Sequence, residues 1–390
     1  MKVVYLDNNA TTMVAPEVME AMQPFWFELY GNPSSIHSFG GRVRKQVEEA
    51  REQVAALLGS SADEIIFTGG GSESDNTAIF GALEAIGPDK RHIITTRVEH
   101  PAVRGVCYHL RNKGYSLTEL NVDSKGALDL EQLSASITPD TALVTIMWAN
   151  NETGVVFPME KIARLVKSRG VLLHTDAVQV AGKIPIDVSK IGVDLLSISG
   201  HKLHAPKGIG ALYIRRGTKI TPLIIGGHQE NGKRAGTENV PSIIGLGRAC
   251  ELAIKYMKEE NERVRILRDK LEAGILAACT DVRINGANRL PNTLNVSFRY
   301  IEGESILLMF DDCGICASSG SACTSGSLEP SHVMRAMGVP FEAAHGSIRF
   351  SLSRYNTEEE IDYVLEKIPP IIERLREISP FVSQISQPSR

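Results

Sequence analysis

The sequence predicts an α/β protein: a large domain on a mainly parallel sheet, then a smaller α+β domain. Three observations carry that reading. Short apolar runs of strand length alternate with helix-length segments between residues 42 and 214. One long, charged, amphipathic stretch at 241–278 then interrupts the alternation. Beyond it, two alternating strand-like runs stand among helical segments.

The elements follow in order. Val43, Val47, Ala50, Val54, Leu57 and Leu58 recur at helical spacing, so Arg42–Leu58 is predicted as an amphipathic helix. Ile65–Thr68 is a strand, followed by a Gly-rich turn and a helix from about Ser74. Buried strands are predicted at His92–Thr96, Ala142–Trp148, Val171–Thr175, Leu195–Ser199 and Gly210–Ile214. Pro241–Ala278 is a long helix or a helix pair, and serves as a domain joint. Asn292–Phe298 and Ser347–Ser353 alternate as strands, with helices at Glu304–Phe310 and Thr357–Ile378. The expected division is a large domain at 16–258, a small domain of 1–15 with 259–380, and a polar, disordered tail at 381–390. At roughly 150 residues per domain, a length of 390 suits two or three domains.

Composition removes several classes of function. Hydrophobic residues make up 43% and charged residues 23%, close to the average for globular proteins. The formal net charge is -4, with no long run of one sign. That argues against a nucleic-acid binder and against a basic membrane-surface protein. The start, MKVVYLDNNATT, lacks the apolar stretch of a signal peptide. No segment reaches the roughly 18 apolar residues of a membrane helix. Cytoplasm is the expected compartment. The six cysteines, Cys107, Cys250, Cys279, Cys313, Cys316 and Cys323, are scattered and expected to be reduced.

Three segments point to chemistry. In Thr68-Gly69-Gly70-Gly71-Ser72-Glu73-Ser74-Asp75-Asn76 a Gly run leaves a strand and opens a helix. Backbone N–H groups at such a helix start can hold a phosphate, and glycines let the phosphate come close. Taken alone, a tight strand–helix turn with a Ser cap explains it as well. In Leu172–Gln179 an apolar strand ends in Asp176, where ligands gather in open α/β sheets. An Asp capping the next helix is the other reading. In Ser197–Gly208 a Lys follows a strand end, Ser, Gly and His. A lone Lys is usually a solvated charge; an amine in such a pocket can act as a base or form a Schiff base. Together, a phosphate cradle, an acid and an activated lysine are what pyridoxal phosphate (PLP) needs.

The segments TGGGSESDN, EHPAV, ANNETG, HTDAVQ, SGHKLHAPKG, RAGTEN, SSGSACTSG and SIRFSLSRY resemble those of the cysteine desulfurases. These belong to the aspartate-aminotransferase-like PLP enzymes of fold type I, class V. The resemblance runs from Tyr5 to Pro380. HGSIRFSLSRY, GHQENGKRAGTEN and SSGSACTSGSLEPSHVMRAMG are most similar to the nitrogen-fixation (NifS-like) branch.

The resemblance implies a role for each matching position. Lys202 would carry PLP covalently. Asp176 would pair with the ring nitrogen and Gln179 with the phenolic oxygen. Gly71, Ser72, Ser199 and His201 would bind the phosphate. Thr237 would reach the phosphate of a neighbouring subunit, which implies a homodimer. His100 would stack on the ring and shuttle protons; a His capping the helix before Pro101 is the plain alternative. Asn151 and Arg349 would hold the substrate carboxylate, where a turn Asn and a surface Arg on a strand are the plain alternatives.

Cys323 would accept sulfur from L-cysteine as a persulfide, leaving L-alanine, for an iron–sulfur scaffold protein serving nitrogenase clusters. Its surroundings, Ala317–Ser327, are small and polar, as suits a mobile loop that must reach two places. A thiol there has a pKa near about 8.5 and needs a base, for which His100 is the expected group. Cys313-Gly314-Ile315-Cys316 has redox or zinc spacing. No second CxxC exists to complete a metal site, so both are expected to be structural, on the way from helix to buried strand. The rival readings are an aminotransferase or selenocysteine lyase of the same class, and a sulfur or metal carrier using Cys313, Cys316 and Cys323.

Overall fold

The computed structural model of the chain describes residues 3–319 and 330–379. Cys323 and the tail at 381–390 lie outside the described residues. The chain enters through a short strand, β1 (Val4–Tyr5). A seven-stranded sheet follows: β2 (Ile65–Thr68), β3 (His92–Thr96), β4 (Ser116–Leu120), β5 (Thr141–Thr145), β6 (Leu172–Asp176), β7 (Leu195–Ser199) and β8 (Gly210–Ile214). Its order is β2-β8-β7-β6-β5-β3-β4. Six strands run the same way. Only β8 opposes its neighbours β2 and β7. The reason is the short connection 200–209: a parallel return needs a crossover of a dozen or so residues.

Several boundaries differ from the sequence-based expectation. The β4 strand, Ser-Leu-Thr-Glu-Leu, was not expected. It is the half-exposed edge of the sheet, so it lacks the apolar run of a central strand. The β5 strand ends at Thr145, although Ile146 and Trp148 still donate backbone hydrogen bonds to the carbonyls of His174 and Asp176. The β6 strand includes Asp176 as its last residue. The first long helix starts at Ser38, because the His37 ring accepts from the Gly40 N–H and caps it there. The helix after β2 starts at Gly71 rather than near Ser74.

The joint is one helix, Val240–Ala278, of 39 residues, with Pro241 in its first turn, where no N–H is needed. Its first half, including Ile243, Leu246 and Cys250, packs into the large core under the sheet. Its second half, including Val264, Leu267, Leu271 and Ile275, packs into a separate core. That second core is built on β9 (Val282–Ile284), β10 (Thr293–Phe298), β11 (Ile315–Cys316) and β12 (Ser347–Ser351). The order β12-β10-β9 is antiparallel, and β1 pairs with β11 in parallel. Val4 and Leu6 are fully part of this core. Helix Glu358–Glu377 closes it, held at its start by reciprocal bonds between Thr357 and Glu360.

Cys313 ends the helix Gly303–Asp312, and Cys316 lies on β11. Ile315 is buried there, whereas Cys316 is only half-buried. Among the described residues, no cluster of His, Cys, Asp and Glu is arranged to hold a metal, and no helix is long and apolar enough to cross a membrane.

Candidate active site

The chemistry-bearing side chains gather where the parallel strands end, as expected for an open α/β sheet. The Gly run leaves β2 there. Gly70 has φ +145°, a conformation that a side chain would strain. A Cβ on Gly71 would stand 2.9 Å from Val178 Cγ2 and 3.4 Å from Ser199 Cβ. Gly70 is therefore required by its backbone conformation and Gly71 by close packing, and the helix Gly71–Ile86 begins with its first N–H groups directed out of its end. Ser72 and Ser199 flank this opening. Thr68 Oγ1 and Ser74 Oγ, 2.7 Å apart, fasten the turn from beneath.

Asp176 ends β6 and is buried. It accepts from the Val178 N–H at 2.9 Å. Burial pushes its carboxyl up, while His100, the Val178 N–H and Lys202 pull the other way. Behind it lies His174, fully buried and held neutral by burial, its pKa down at about 3. Its ring nitrogens meet Thr145 Oγ1 at 2.8 Å and Ser197 Oγ at 3.0 Å. Gln179 donates its amide to the Asn9 carbonyl at 3.0 Å, and its buried Oε1 has no hydrogen-bond partner.

Lys202 follows β7 on a short 3₁₀ turn, Gly200–Lys202. Its Nζ donates to the carbonyls of Asn9 at 2.5 Å and Ala10 at 2.7 Å. The neighbouring His201 meets Thr11 Oγ1 at 3.2 Å. Burial, with Lys202, Lys207 and His100 nearby, holds His201 neutral, its pKa down at about 4. The segment Asp7–Thr12 thus belongs to the site, and the motif reading passed over it. Its one signal in the sequence is the polar cluster DNNATT directly after an apolar run. Asn9 is almost wholly buried. Its side chain reaches the Asn151 carbonyl at 3.2 Å and Thr293 Oγ1 at 2.9 Å, and accepts from Asn292 at 3.0 Å.

His100 fills two roles at once. It caps the helix Pro101–Asn112, with Nδ1 accepting the Ala102 N–H at 3.2 Å. It also lines the cavity beside Asp176 and Lys202. Burial and Lys202 hold its pKa below the usual histidine value against the pull of Asp176. With Nδ1 committed as an acceptor, the neutral ring carries its proton on Nε2. Next to it, burial pushes the Glu99 carboxyl up to about 8.

Arg349, on β12 opposite Asn295, is buried rather than a surface residue. Its Nη1 donates to the Asn151 carbonyl at 3.0 Å, and its Nη2 meets Asp7 Oδ1 at 2.7 Å. Its Nε is buried without a hydrogen-bond partner. The turn after β5 is made by Asn150, whose Oδ1 accepts from Glu152 N and Thr153 N; Asn151 lines the cavity.

These residues enclose one cavity of about 550 Å³, within the range of small-molecule sites. Gly71, Ser72, His100, Asn151, Asp176, Gln179, Ser199, His201, Lys202 and Arg349 all line it. Thr237 does not. It is exposed and lines an adjoining recess, which shares Gly69 and Gly208 with the cavity. The residues fit PLP. The glycine-walled helix start suits a phosphate, Asp176 stands ready for a protonated ring nitrogen, and Gln179, whose buried Oε1 has no hydrogen-bond partner, lines the same cavity as Lys202.

Comparison with known proteins agrees. The family model described as aminotransferase class-V matches residues 4–364. A cysteine desulfurase from a Nostoc species is 61% identical over 98% of this chain and 96% of its own length. Cysteine desulfurase NifS from Azotobacter vinelandii is 58% identical over 97% of this chain and 95% of its own. A solved structure titled NifS-like protein superposes with a TM-score of 0.91 at 44% identity, covering 96% of this chain and all of that one. The chain belongs to the class-V aminotransferase family of PLP-dependent enzymes. Within that family it takes its place among the cysteine desulfurases, on their NifS-like branch.

Proposed function

We propose that this enzyme takes the sulfur of L-cysteine, releases L-alanine, and holds the sulfur as a persulfide on Cys323. The sulfur then passes to an iron–sulfur scaffold protein, for nitrogenase clusters. Residues 16–258 form the domain that holds the cofactor, and 1–15 with 259–380 the domain that completes the site. PLP, when bound, supplies an electron-accepting ring held through Lys202, Asp176, Gln179 and the phosphate cradle of Gly71, Ser72, Ser199 and His201.

The protein's own groups divide the remaining work. Arg349 and Asn151 hold the substrate carboxylate, a planar fork suited to bidentate contact. Lys202 is the base that moves the Cα proton. His100, its Nδ1 occupied and its proton on Nε2, is a donor rather than the base expected for the Cys323 thiol; that leaves Lys202 the better base and Cys323 to react through the few per cent of thiolate present near neutral pH. The Cys323 thiolate attacks the substrate sulfur. A sulfur–sulfur bond forms as the carbon–sulfur bond breaks, and the carbon takes up a proton to become the methyl group of alanine.

The observation that carries this reading is the meeting of Lys202, Asp176 and Arg349 in one cavity. Two features support a homodimer. Thr237 stands exposed just outside the cavity, where it can serve a second copy. Trp26, Phe27, Tyr30, Ile36 and Ile225 are exposed, as suits surface that a partner covers. The test is to feed sulfur-labelled cysteine and follow alanine and label. Cys323→Ala should bind cysteine, shown by the cofactor spectrum, but retain no label and release no sulfide. Normal sulfur release by that variant would defeat the assignment.

A further inference from the structure

Glu152 takes no part in the chemistry above, yet it is buried on the turn that carries Asn151. Its backbone is fixed from two sides. The N–H donates to Asn150 Oδ1 at 3.0 Å, and the carbonyl accepts from the Asn295 amide at 3.2 Å. Its side chain is used elsewhere: Oε2 accepts from Ser331 Oγ at 2.5 Å. Ser331 is also buried, and caps the short helix His332–Ala336 by accepting from the Val333 N–H at 3.0 Å. The next residue, His332, meets the Glu99 carbonyl through Nε2 at 3.0 Å, one position before His100. On the other side of Cys323 in the sequence, Ser318 is bridged to Arg349. Each backbone N–H donates to the other's carbonyl, at 3.2 Å and 2.6 Å. Arg349 in turn donates to the Asn151 carbonyl. Ser318 and Ser331 are thus both fastened to the turn Asn151–Glu152, the first through Arg349 and the second directly.

We propose that Glu152 is a positioning residue for sulfur transfer: through Ser331 it fixes where the chain after Cys323 is anchored relative to Asn151 and Arg349, the groups that hold the substrate. This rests on the reading of Cys323 as the sulfur acceptor. Twelve residues, 319–330, separate Ser318 from Ser331. The reach of a thiol on a segment of that length is set by where its two ends are held. An attacking atom must come within about 3–3.5 Å of its target, in line, and a misplacement of about 1 Å slows reaction by about a hundredfold. The turn itself does not depend on the Glu152 side chain, since Asn150 and Asn295 hold its backbone. Loss of the carboxylate therefore frees Ser331 while Asn151 stays in place.

The test uses holoenzyme and sulfur-labelled cysteine in a single turnover. Two things are read: the change in cofactor absorbance as cysteine binds, and the rate at which label reaches Cys323. Glu152→Ala should bind cysteine as the parent enzyme does and load Cys323 about tenfold to a hundredfold more slowly, the worth of a hydrogen bond to a charged group. Glu152→Gln can still accept from Ser331 and should load at nearly the parent rate. Ser331→Ala should be slowed at least as much as Glu152→Ala, and joining the two should slow loading no further. Ser331→Ala also carries the test if Glu152→Ala does not fold. Without cysteine, Cys323 in every variant should react with iodoacetamide at the parent rate, because the thiol itself is unchanged. Loading at the parent rate in Glu152→Ala or Ser331→Ala overturns the proposal. So does cysteine binding weakened as much as loading is slowed, or a thiol that alkylates more slowly. A parent enzyme with no label on Cys323 defeats the reading beneath. A labelled parent with unslowed variants defeats only the role of Glu152.

Discussion

The two walls of the cavity are made differently. The wall of Gly71, Asp176, Ser199 and Lys202 consists of strand ends and the turns just after them. Each of its side chains is placed by the sheet, a few residues from a regular strand. The opposite wall, Asn9, Asn151 and Arg349, with Asp7 held behind it against Arg349, is assembled from distant parts of the chain. Arg349 meets Asn151 across 198 positions and Asp7 across 342. A rigid wall suits a cofactor that stays, and a wall shared with the small domain suits a substrate that comes and goes. The difference teaches that damage to the first wall should fall on the chemistry, and damage to the second on substrate binding.

The largest expected effect is on the first wall. Lys202→Ala removes both the covalent attachment and the base. Turnover should fall by about a hundredfold to ten-thousandfold, the usual worth of a positioned acid–base group. Borohydride should then leave no cofactor tag on the protein. A variant that kept turnover and changed only KM would break the comparison outright, because the first wall would then be acting as a substrate site.

Arg349→Lys probes the second wall. It keeps the charge but loses the planar fork and its contacts to Asn151 and Asp7. KM for cysteine should rise by about tenfold to a hundredfold, the worth of hydrogen bonds to a charged group. The spectrum of the bound cofactor should be unchanged. Steady-state kinetics with an absorbance scan decides it, and a fall in kcat at constant KM would contradict the division of labour.

The same contrast explains how much was legible beforehand. The first wall could be read because each part carries a local signal: a Gly run after a strand, an Asp at a strand end, a Lys after Ser-Gly-His. The central strands from His92 to Ile214 were legible for the same reason, since buried parallel strands are apolar runs; their order in the sheet was not. The edge strand β4 has no such run and was invisible. Asp7 and Asn9 were missed because nothing local says that β1 will enter the small domain's core and carry DNNATT across the cavity. His100 was found, but its direction of proton transfer depends on one backbone N–H, that of Ala102, which only coordinates reveal.

The finest test of the comparison is Asp7→Asn. Asp7 holds one side of the Arg349 guanidinium while Nε, on another side, has no hydrogen-bond partner. If a substrate carboxylate takes up that buried, unsatisfied edge, Asp7 and substrate do not compete, and Asp7 serves to fix the plane of the fork. Asparagine keeps a hydrogen bond and loses the charge, so the fork should loosen rather than turn away. KM should rise by about three- to tenfold, the worth of one ordinary hydrogen bond, with kcat nearly constant. The opposite sign is informative: tighter binding in Asp7→Asn would mean that Asp7 occupies the place of the substrate carboxylate. The second wall would then be a competitor for cysteine as well as its holder.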